Sequence, residues 1–100
     1  MISKIKIGNK IYRVIEDDEI ESLNILGNIN YVKAEIKIYP KQDEQSIADI
    51  LAHEAVHGML DFMGEDDLSK SEGTVNRIAN GVLMLIRDNP ELFLKFARSE

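Results

Sequence analysis

SIADILAHEAVHGMLDFMG, residues 46–64, is where the chain changes its hydrophobic period. Before Pro40 apolar side chains recur every second residue. From Ser46 they recur about every 3.6. On a helical wheel Ile47, Leu51, Ala52, Ala55, Val56, Met59, Leu60, Phe62 and Met63 cover an arc of roughly 220°, far wider than a surface helix shows. The spacing therefore predicts a central helix, ended by Gly64. The remaining arc holds Ser46, Ile50, His53, Glu54, His57 and Asp61, so the polar groups share one narrow strip.

Toward the N-terminus, residues 4–16 alternate charged and apolar side chains around Gly8-Asn9, a dipeptide suited to a tight hairpin turn. Residues 17–22 break the pattern. LNILGNIN, 23–30, and AEIKIYP, 34–40, then read as two further strands about a turn near residues 31–33, the last ended by proline. Toward the C-terminus, 65–73 read as an acidic loop and helix start. Residues 70–87 form a second helix with Val75, Ile78, Ala79, Val82, Leu83 and Ile86 on one face. Asn89-Pro90 opens a short third helix bearing Leu92, Phe93 and Phe96. Met59, Met63, Phe93 and Phe96 are expected in the core.

Strands followed by helices imply an α+β fold: a small, mostly antiparallel N-terminal sheet, two main helices and a short C-terminal helix. One hundred residues make one domain, 1–100, with no room for a separate substrate-recognition lobe. A net charge of −6 with scattered cations argues against nucleic acid as a partner. No segment has the length and apolarity of a signal peptide or a membrane span. The absence of cysteine excludes disulfides and thiolate metal sites and fits a cytoplasmic location.

Both histidines of the chain lie in His53-Glu54-Ala55-Val56-His57, the pattern H-E-x-x-H. Residues four apart on a helix share a face, so two imidazoles can meet one tetrahedral cation. Glu54 is turned about 100° from His53, beside such a cation and free to take a proton from its water. A chance match in an ordinary helix is the alternative. Two stacked imidazoles on the polar strip would then need separate partners.

A catalytic zinc site usually has a third protein ligand. With no histidine or cysteine left, the candidates are Asp61, Glu65, Asp66, Asp67 and Glu72. Glu72 falls on the apolar face of the second helix, where an ionised carboxylate needs a partner, and this favours it. Ser69-x-x-Glu72 also reads as a capping box that would occupy the same carboxylate. Asn76 and Asp61 are candidates to orient the ligands.

LAHEAVHGML, then SEGTVNRIANGVLMLIRDNPELF, preceded by AEIKIYP, resemble small phage and prophage proteins with H-E-x-x-H followed by a glutamate on the next helix. These are minimal zincin-like metallopeptidases of the gluzincin type, related in layout to ImmA/IrrE-like peptidases. The resemblance spans roughly residues 26–95. It implies one zinc per chain held by His53, His57 and Glu72, with Glu54 as the general base for hydrolysis of a peptide or protein substrate. In the ImmA/IrrE-like enzymes the ligand glutamate lies close before an Ala-Asn pair, whereas Glu72 is seven residues before Ala79, so the phage group is the closer match. Such enzymes commonly carry a further His or Tyr for the oxyanion. Here zinc alone, Arg77, or one of Tyr31 and Tyr39 is left for that role.

Three functions follow in order: a zinc peptidase holding an extended substrate along the strand at 35–39, a non-catalytic zinc-stabilised binding module, and a metal-free interaction protein.

Overall fold

The computed structural model of the protein describes residues 1–98. Alternation in the first 40 residues produces four strands: β1 (Lys4–Ile7), β2 (Lys10–Glu16), β3 (Gly27–Asn30) and β4 (Glu35–Ile38). Gly8, at φ 63°, turns β1 into β2, and Ala34, at φ 54°, closes the loop between β3 and β4. Helix α1 (Glu44–Phe62) follows, then a single turn α2 (Asp66–Ser69), α3 (Glu72–Asp88) and α4 (Pro90–Arg98). The α+β class and the strands-then-helices order are as expected. The loop expected between the main helices contains the extra turn α2.

The sheet order is β1-β2-β4-β3. Two pairings are antiparallel hairpins, and β2 and β4 run parallel, Arg13 opposite Glu35 and Glu16 opposite Ile38. This corrects the expectation that the strand at 35–39 offers a free edge. β4 is hydrogen-bonded on both sides, because β3 passes beyond it before the chain returns into the slot beside β2. The free edge on that side belongs to β3. The segment 23–26 also differs from expectation, since a 3-10 turn at Ile20–Leu23 delays β3 to Gly27.

One face of the sheet is apolar. Tyr12, Ile36 and Ile38 are buried there against Leu51 of α1, flanked by Ile5, Ile7, Val14 and Ile29. The other face carries charge, including an ion pair between the cross-strand partners Arg13 and Glu35. The opposite side of α1 packs Val56 and Leu60 on Val75 and Ala79 of α3. α1 is thus central, as its wide apolar arc requires.

Asp43 starts α1 by accepting a hydrogen bond from the Ser46 amide at 2.7 Å. The helix ends in paired bonds, Gly64 N–H to Asp61 C=O and Glu65 N–H to Leu60 C=O, which reverse the chain toward α2. Burial stops short of the expected set. Met59, Met63 and Phe96 are 36%, 59% and 66% exposed, because the sheet covers only part of α1 and α4 leans mainly on the end of α3. Among the described residues no helix is long and apolar enough to cross a membrane.

Candidate metal centre

His53 and His57 project from successive turns of α1 with ring centroids 4.8 Å apart and planes at 73°. Their Nε2 atoms point at one carboxylate. Glu72 Oε2 lies 2.8 Å from His53 Nε2, and Oε1 lies 2.9 Å from His57 Nε2. The other ring nitrogens are held from behind. His53 Nδ1 donates to the acceptor Asn76 Oδ1 at 2.7 Å, and His57 Nδ1 is hydrogen-bonded to Ser69 Oγ at 3.0 Å, itself 3.3 Å from the Tyr31 hydroxyl. Asn76 thus sets the His53 proton on Nδ1, and with the same tautomer at His57 both Nε2 lone pairs face one point.

This trio of donor atoms, all within 4.8 Å of one another, can hold a metal ion. A tetrahedral ion with bonds near 2.0–2.1 Å spaces its ligand atoms about 3.3 Å apart. Glu72, with a side chain 68% exposed, has room to withdraw by the few tenths of an ångström required.

The exposure of Glu72 corrects one expectation. Its side chain does not point into the core, because α3 begins at this very residue and its first buried position is Val75. Glu72 reaches the histidines by standing at the helix start above α1. The Ser69 capping box is not formed either. Ser71 caps α3, its hydroxyl accepting from the Thr74 amide, and Ser69 turns to His57 instead.

The cluster lies in an open cleft of about 630 Å³ whose walls include Ile25, Gly27, Asn28 and Ile29 along β3. Asp61 and Asp66 line it too; Glu65 and Asp67 do not. Glu54 is 7% exposed between α1 and β3. Burial pushes its carboxyl up to about 7, with His53 pulling it down and the negative charge of Glu72 adding to the rise. A methyl group on Gly27 would come within 3.1 Å of Glu54 Oε2 and 2.4 Å of Ile50 Cγ2, so the missing side chain makes the place in which Glu54 sits.

The structure brings His53, Glu54, His57, Glu72 and Asn76 together. Of the three residues considered for the oxyanion, Tyr31 alone lines the cleft. Arg77 instead donates to Thr74 Oγ1. Ser69 and the β3 wall escaped sequence reasoning. Ser69 signals itself only as a residue three before Glu72, and the β3 wall depends on a strand order that alternation does not encode. No protein-family model, no curated protein and no solved structure matches the chain.

Proposed function

We propose that the protein is a zinc-dependent peptidase of phage origin, acting in the cytoplasm on an extended peptide or protein segment. The observation that supports this is the convergence of His53 Nε2, His57 Nε2 and the Glu72 carboxylate in an open cleft, beside a buried carboxyl that titrates near neutrality. Two imidazoles and a carboxylate are a donor set suited to zinc with one position left for water or substrate. When bound, zinc supplies Lewis-acid polarisation of a carbonyl and a water of lowered pKa.

The chain's own residues supply the rest. Asn76 fixes the Nδ1 proton of His53, and Ser69 holds the orientation of the His57 ring. Glu54 takes the proton of the attacking water on its carboxylate and returns it to the leaving amine. The free edge of β3 lies along the cleft and would pair with the backbone of an extended substrate.

The test begins with metal content of protein purified without a metal-carrying tag, followed by peptide hydrolysis. One zinc per chain, lost in His53→Ala, and a 10²- to 10⁴-fold loss of hydrolysis in Glu54→Gln with zinc retained are the expected results. Wild-type protein that takes up no zinc overturns the reading. Wild-type protein that binds zinc, gains melting temperature from it and hydrolyses nothing would instead be a zinc-stabilised binding module.

A further inference from the structure

A second concavity of about 620 Å³ opens between the start of β1, the first half of α1 and α3. Ile2, Ile5, Ile47, Leu51 and Leu83 line it, and Glu44 is its one charged lining residue. The C-terminal helix α4 is amphipathic and carries exposed apolar side chains. In α4, Leu92 and Leu94 are 48% and 54% exposed, and the last turn carries Lys95 and Arg98. The groove is apolar with acid at its rim, where Asp43 and Glu44 begin α1. The helix is apolar with base at its end.

The helix cannot fill the groove of its own chain. Arg87, near the end of α3, lies 3.3 Å from Asp49 of α1, and only Asn89 separates α3 from α4. Antiparallel helix hairpins use connections of 2–5 residues, so one residue does not let α4 double back along α3 over the groove. Surface area points the same way. The chain exposes 7049 Å², whereas a folded monomer of 11.3 kDa exposes about 5,700 Å². The excess, about 1,300 Å², exceeds the roughly 800 Å² that each partner buries in a standard interface.

We infer that two copies of this chain associate about a two-fold axis, with α4 of each lying in the β1–α1–α3 groove of the other. Lys95 and Arg98 then approach Asp43 and Glu44 of the opposite copy, which offsets locally the repulsion between two chains of net charge −6. The association is independent of zinc and of hydrolysis.

The absence of native cysteine makes a direct test clean. Ala48→Cys places a thiol in the groove and Leu94→Cys places one on α4. A sedimentation mass of two chains, and a cross-link between the two single variants when they are mixed, are expected. Leu94→Glu, at a side chain exposed in the single chain and so harmless to its circular dichroism spectrum, is expected to weaken the dimer about tenfold or more. A single-chain mass at every concentration overturns the inference. So does a cross-link confined within one chain of the double variant, or a dimer that survives Leu94→Glu and yields no cross-link.

Discussion

Asn76 Oδ1 lies 2.7 Å from His53 Nδ1 while Glu72 Oε2 lies 2.8 Å from Nε2 of the same ring, so one turn of α3 grips both edges of one imidazole on α1. The amide oxygen accepts only, and it therefore dictates which nitrogen carries the proton. Asn76→Ala is expected to lower zinc affinity about 10- to 100-fold. It should leave the melting temperature of the metal-free chain nearly unchanged, since Asn76 is exposed. Competition against a chromophoric chelator measures this, and wild-type affinity in the variant would remove Asn76 from the site.

Gly27 should be the least replaceable residue of β3. A methyl group there meets Ile50 Cγ2 at 2.4 Å, and a β-branch methyl on a helix cannot swing aside as the end of a long chain can. Gly27→Ala is expected to cost about 1–3 kcal/mol of stability through overpacking. In that background Ile50→Ala should cost less than it does in the wild type. A double-mutant cycle by denaturant unfolding reads the coupling, and simple additivity would show that β3 shifts freely away from α1.

Stability of the metal-free chain should fall as pH rises through the interval from 4.5 to about 7. Below that interval Glu54 is neutral in both the folded and the unfolded chain and contributes no difference. Within it the unfolded chain releases the proton and the folded chain keeps it, so ionisation favours unfolding, and above it the penalty is complete. Its size is on the order of 3 kcal/mol. Glu54→Gln removes the ionisable group. Thermal melts of the metal-free proteins should coincide near pH 4, and the variant should melt higher at pH 8. An advantage that does not grow with pH would mean that Glu54 ionises at its ordinary value.

The helical part of this fold was the most legible in sequence because each helix carries its own boundaries. Gly64 after α1 and Asn89-Pro90 before α4 stand where the structure ends and begins those elements. The hairpin at Gly8 was readable for the same local reason. The placement of β4 was not, since strand alternation is identical at an edge and in the interior of a sheet whose one face is buried. His53 and His57 were legible from spacing alone. Glu72 was named for a burial that does not exist: a wheel assumes the helix continues in both directions, and α3 has no turn before Glu72. Met63 and Phe96 were assigned to the core on apolarity, but a sheet of four short strands lacks the area to cover every apolar side chain that 19- and 9-residue helices offer.

The parallel seam between β2 and β4 gives the chain a kinetic order of assembly. Each hairpin joins near neighbours, Ile7 to Lys10 and Asn30 to Glu35, and can form by itself. The seam joins Arg13 to Glu35 across a much longer loop, so it bears the larger closure entropy and forms later. The β3 wall rides on the second hairpin. Until the seam closes there is a helix with two histidines but no groove beside it, so the metal-ligand pair precedes the cleft it faces.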